Sequence, residues 1–173
     1  MRTSILLLLV VVFFMSCEKQ EKRYTQQSPE IETYKKVVDN YKKLNWEAMA
    51  THYADTAKIA NNVIKEKAIS ISKNIEENKK DAEMFTWVVE KEEYEMVVTD
   101  ENETWVNFWG LWKGTMKTTK KVYDIPYHVT ARLINGKIVE EFGYWNNAEI
   151  TSDLMKAEQK LVEIAESEAN MAE

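Results

Sequence analysis

The groups best suited to chemistry crowd into one stretch, Thr104 to Asn147. It holds four of the six tryptophans, three of the eight tyrosines and one of the two histidines. His128 is the first candidate acid–base group. Side chains alternate along a strand, and Val129, Ala131 and Leu133 form an apolar set there. His128, Thr130 and Arg132 therefore belong to the opposite, outer face. A surface or interface role is expected for this histidine rather than a catalytic one. His52 stands far from it with no acidic or cysteine partner at metal spacing. Two distant histidines and a lone cysteine make no metal site. Glycine is too scarce for a phosphate-cradling loop, and no G-x-x-x-x-G-K pattern occurs, so no cofactor is implied. Trp105, Trp109, Trp112 and Trp145 either fill a curved sheet's core, the expected role for most, or line an aromatic pocket. Glycine inside a strand marks bulges, so Gly110 leaves the facing of Trp109 and Trp112 open, with at least one at a pocket mouth.

These side chains need a sheet to hold them. Thr104 to about Lys117, Val122 to Ile134 and Lys137 to Asn147 read as three antiparallel strands. Asn135-Gly136 closes the last hairpin, because both residues tolerate positive φ. A preceding strand runs over about 83–98, with a bend or bulge expected at Glu90-Lys91-Glu92-Glu93. On the last strand Ile138, Glu140, Phe142, Tyr144 and Asn146 share a parity. If Ile138 and Phe142 point inward, Tyr144 and Asn146 follow.

The first half of the chain is helical. Ser28-Pro29-Glu30 starts a helix, and Ile31, Tyr34, Val38 and Tyr41 form its apolar stripe to about Leu44. Asn45 caps a second helix, Trp46 to about Tyr53. Ala54-Asp55-Thr56 breaks it, and residues 58–62 make a short strand. A third helix is expected from about Ile64 to Lys80, with Lys73, Glu76, Glu77, Lys79 and Lys80 on a solvated face. Residues 149–172 form a C-terminal helix.

The chain has 173 residues and a net charge of −6. Its length suits one folded domain, and its acidity argues against nucleic acid as a partner. Arg2 precedes an apolar run from Ile5 to Met15. That run is too short to span about 30 Å of hydrocarbon and fits the core of a secretory signal. Ser16 before the only cysteine, Cys17, resembles a bacterial lipobox, although Phe14 and Met15 depart from its usual pattern. The alternative is an ordinary signal peptide with an incidental cysteine. The expected organisation is a lipoprotein signal over residues 1–16 and a tether over 17–28. A folded domain over 29–148 and the C-terminal helix over 149–173 follow. Lipidation at Cys17 would anchor the chain in the cell envelope. The charged stretch after Cys17 resembles surface-export signals of Bacteroidetes lipoproteins, which points to the outer membrane.

Tyr53-Ala54-Asp55, Thr119-Lys120-Lys121-Val122, Asn135-Gly136-Lys137-Ile138 and Tyr144-Trp145-Asn146 occur in an order that resembles the SnoaL-like branch of the nuclear transport factor 2-like superfamily. The resemblance covers about residues 29–148. It implies an α+β fold, a curved, mostly antiparallel sheet wrapped around the N-terminal helices to form a cone with a pocket. It also implies outer-face pairing with a second copy. The isomerase-like members' base position falls on Asn61 and Asn62, and the pocket acid of the last strand on Asn146. Asn can orient a ligand but cannot exchange protons usefully. Asp55 is expected to serve a helix-to-strand turn. Residue pattern and resemblance together put ligand contacts at Tyr53, Asn61, Trp109, Tyr144 and Asn146. The expected function is therefore a lipid-anchored envelope protein whose cone binds a small apolar ligand or a partner without catalysis. The alternatives are an isomerase, cyclase or hydrolase using another acid, such as Glu140 or Tyr144, and a structural dimerisation module.

Overall fold

The computed structural model describes residues 23–171. The signal segment, Cys17 and the first part of the tether lie outside the described residues. The elements run β1 (Tyr24–Thr25), α1 (Pro29–Lys42), α2 (Trp46–Ala50), β2 (Tyr53–Asn61), a short 3-10 turn (Lys65–Lys67), α3 (Ile71–Met84), β3 (Phe85–Val98), β4 (Thr104–Met116), β5 (Val122–Ile134), β6 (Lys137–Trp145) and α4 (Ala148–Met171). The strands form one six-stranded sheet in the order β1-β3-β4-β5-β6-β2. All neighbours are antiparallel except β2 and β6. The sheet curls around α1, so the α+β cone expected from the sequence is the fold observed.

Local signals place the helices. Ser28 accepts from the Ile31 amide to cap α1, with Pro29 opening the helix. Ile31, Tyr34, Val37 and Val38 are the buried face of that helix. They pack on Val106, Phe108, Val129, Ala131 and Ile138 of the sheet. The second helix stops at Ala50, and Tyr53 opens β2 instead of closing a helix. The third starts later than the sequence suggests. Ile69 pairs through its backbone with Ile59, which keeps the chain extended until Ser70 caps α3. Asp55 sits exposed in the irregular stretch of β2 rather than in a turn. The C-terminal end of the tether segment is pinned, because Tyr24 and Thr25 pair with Val97 and Met96.

Besides the irregular stretch of β2, two bulges in the antiparallel ladders shape the sheet. One lies at the acidic interruption of β3, between Glu90 and Glu93, where Lys91 takes a φ of 54°. The other lies in β6. Arg132 pairs with Glu140 and Leu133 with Ile138, so Val139 is an extra residue. Gly110 carries no bulge, since the β4–β5 pairing runs through it without a break. What it supplies is space, because a Cβ there would lie 2.8 Å from the Phe108 ring and 2.9 Å from that of Tyr127. Gly114 likewise leaves room for the Trp112 ring to lie across it. The β5–β6 turn uses Asn135 and Gly136 at φ 52° and 74°, as a two-residue hairpin requires.

The C-terminal helix docks by its first turns. Ile150 packs beside Phe85, Met116 and Tyr123. Asp153 accepts from Lys121 at 2.6 Å and from the Tyr123 hydroxyl at 2.9 Å. Beyond them Leu161, Val162 and Ile164 are exposed.

Candidate functional site

The curled sheet and the helices it wraps form a cavity of about 460 Å³, within the range of small-molecule sites. Helix α1 supplies Tyr34, Val37, Val38 and Tyr41, and α3 supplies Asn74, Glu77, Asn78 and Asp81. The sheet contributes Tyr53, Asn61, Phe108, Trp112, Ile125, Tyr127, Val129, Glu141 and Trp145, while Ile150, Thr151 and Leu154 of α4 close one side.

Glu141 is the group sequence reasoning missed. The extra residue at Val139 reverses the parity of everything after it, so Ile138, Glu141 and Gly143 face inward opposite Leu133, Ala131 and Val129. Its carboxylate is buried, with 6% of the residue exposed. Oε2 accepts hydrogen bonds from the Tyr53 hydroxyl at 2.7 Å and the Tyr34 hydroxyl at 3.2 Å. Oε1 takes no protein hydrogen bond among the described residues. Burial pushes the acid up from 4.5 to about 7, against the opposing pull of the two tyrosine bonds. Burial and the neighbouring Glu141 hold both tyrosines well above the usual phenol value, so they remain donors.

Glu140, considered as an alternative acid from the sequence, lies on the other side of the sheet. It forms ion pairs with Lys65 and Arg132. Tyr144 and Trp109 lie on the outer face as well, 52% and 39% exposed. Their rings stack on either side of His128, with centroids 6.3 and 4.8 Å away. His128 is thus on the face expected for it. Trp105 stacks on Phe142 on the same surface, so the tryptophans divide between faces rather than mostly filling the core. Trp112 and Trp145 face the cavity. Asn146 is absent from its lining, and its Oδ1 accepts from the Ala148 amide at 3.0 Å where α4 begins. A turn-capping role explains an Asn there without a ligand.

Tyr53 and Asn61 do reach the cavity. Asn61 donates from Nδ2 to Asn74 Oδ1 at 3.1 Å. Asn62 also lines the cavity and holds the end of β6, accepting from the Trp145 amide at 3.0 Å. Trp112 donates from Nε1 to the Tyr41 hydroxyl at 3.1 Å, fixing the aromatic wall. Glu77, read from sequence as solvated, stands at the rim beside Asp81. Partial desolvation and then the charge of Glu77 raise the Asp81 carboxyl.

This arrangement, helices packed inside a curled sheet, recurs among solved structures. The fold is that of the nuclear transport factor 2-like proteins. A candidate polyketide cyclase from Xanthomonas campestris pv. campestris superposes with a TM-score of 0.61 at 13% identity, covering 72% of this chain and 96% of that one. A candidate isomerase from Bacillus subtilis gives 0.57 at 16% identity, over 68% of this chain and 86% of that one. A nuclear transport factor 2-like protein from Burkholderia xenovorans LB400 gives 0.55 at 11% identity, over 70% and 93%. No family model matches the sequence, and no curated protein matches it.

Proposed function

We propose that the cone binds a small, largely apolar carbonyl compound and that Glu141 moves a proton on it. The observation that carries this reading is the position of Glu141, buried beside the cavity with one carboxylate oxygen fixed by Tyr53 and Tyr34 and a titration point raised to about 7. A carboxyl poised near neutrality can both take and return a proton, which is what enolisation next to a carbonyl needs. The test is deuterium uptake at the α-carbon of a panel of small ketones in D2O. The wild-type protein accelerates the exchange on at least one member, and Glu141→Gln lowers that rate by about a hundredfold or more. Equal rates in the two proteins would refute proton transfer by this residue.

A second reading is binding without turnover. It is favoured by the Asn61–Asn74 amide pair, which can orient a polar group but not exchange protons. The same exchange assay separates the two, since a binder alone gives tight association and no deuterium. In either case we infer that the domain is lipidated at Cys17 and held at the outer membrane. We also infer that the exposed Trp109–His128–Tyr144 face pairs with a second copy of the chain.

A further inference from the structure

We propose that the ligand of the cone is an organic cation, with its ammonium group at the rim beside Glu77 and Asp81 and its apolar body against Tyr41, Trp112 and Trp145. This rests on the reading of the cone as a ligand pocket and names the class of compound it takes. The lining carries three carboxylates, Glu77, Asp81 and Glu141, and no lysine, arginine or histidine. That imbalance is built into α3. Asn74, Glu77, Asn78 and Asp81 follow at i, i+3, i+4 and i+7, one face of a helix, and all four line the cavity.

The lysines of α3 lie off that face, and two of them are engaged elsewhere. Lys73 and Lys80 pair with Glu76 at 3.0 and 2.9 Å. Glu77 and Asp81 have no ion-pair partner among the described residues. A neutral polar group, itself held by Asn61, faces the same cavity. Asn74 is 5% exposed, lines the cavity and finds no acceptor for its Nδ2 among the described residues. That donor is open to the cavity rather than sealed, and the carbonyl oxygen of a ligand can accept from it. Carboxylates then receive the charged end of the compound, aromatic faces its alkylated ammonium or apolar body, and Asn74 its neutral oxygen.

The test compares acetonyltrimethylammonium with its uncharged isostere, methyl neopentyl ketone, by quenching of tryptophan fluorescence in the full chain. The cation binds about tenfold more tightly than the neutral ketone, and its affinity falls with added salt while that of the ketone does not. The double substitution Glu77→Gln and Asp81→Asn, at two exposed positions and with the fold checked by circular dichroism, brings the ratio of the two affinities to about one. Equal binding of the two compounds by the wild-type protein would overturn the cation inference and leave the pocket reading standing. An unchanged ratio in the double variant would overturn the assignment to these carboxylates. If neither compound bound, both readings would fall.

Discussion

The Tyr53 hydroxyl donates a 2.7 Å hydrogen bond to Oε2 of Glu141, across the one parallel strand pair among the described residues. The bond joins β2, which follows the first two helices, to β6 and fixes an acid at the cavity. Removing the hydroxyl by Tyr53→Phe withdraws one of the two interactions that hold the carboxyl down. The titration midpoint of Glu141 then rises above its wild-type value, and the variant loses about 1–2 kcal/mol of stability at pH 8, where the charged form needs its donors most. Chemical denaturation at pH 8 measures the second effect.

Stability should depend on pH through the same residue. Glu141 titrates at 4.5 as a free group and at about 7 in the fold. Between these values the folded chain binds more protons than the unfolded one. The contribution is therefore fully present below about 4.5 and is lost as pH rises through about 7, a change of about 3 kcal/mol in total. Glu141→Gln, which cannot ionise, removes this component. Its stability relative to wild type is greater at pH 8 than at pH 5, as urea denaturation at the two pH values will register.

Most of the architecture was legible in the sequence, because capping residues, apolar periodicity and the Asn135-Gly136 turn each act locally. The site was only partly legible. Tyr53 and Asn61 line the cavity, but Trp109, Tyr144 and Asn146 do not. The reason is one unpaired residue. Alternation counted forward from Ile138 assigns Glu140 and Tyr144 to the inside, and the bulge at Val139 exchanges them for Glu141 and Gly143. A bulge arises from pairing with β5 and leaves no mark in the run Ile138-Val139-Glu140-Glu141-Phe142. Counting backward from Trp145 would have found the inner set.

The glycines of β4 are expected to be intolerant for reasons of space. A side chain at Gly114 collides with the Trp112 ring, which lines the cavity and is tied to Tyr41. Gly114→Val should cost about 1–3 kcal/mol by overpacking and reduce ligand-induced quenching of tryptophan fluorescence. Gly136→Ala meets no atom within 4 Å, and its strain comes only from the φ of 74°. It should lower stability with little effect on ligand binding, a contrast that thermal melts and quenching titrations will show.

On the outer face, Trp109 and Tyr144 present exposed rings on both sides of His128. Replacing both rings with glutamate should convert a dimer to a monomer in sedimentation velocity while leaving the cavity unchanged. A wild-type protein that sediments as a monomer at high concentration would remove the dimer proposal.

The proposed membrane attachment would depend on a single sulfur, that of Cys17. Cys17→Ala should abolish fatty-acid labelling and release the protein from the membrane fraction, since stable anchoring needs more than one acyl chain. Retention of the variant in that fraction would contradict lipidation.

The most direct measurement is the titration of Glu141 itself, read from the side-chain carboxyl carbon by NMR with Glu141→Gln as the assignment control. A midpoint of about 7, moving upward in Tyr53→Phe, is the result expected for an acid poised to exchange protons at the cavity. A midpoint at or below the ordinary 4.5 would contradict it, leaving Glu141 a permanently charged structural group.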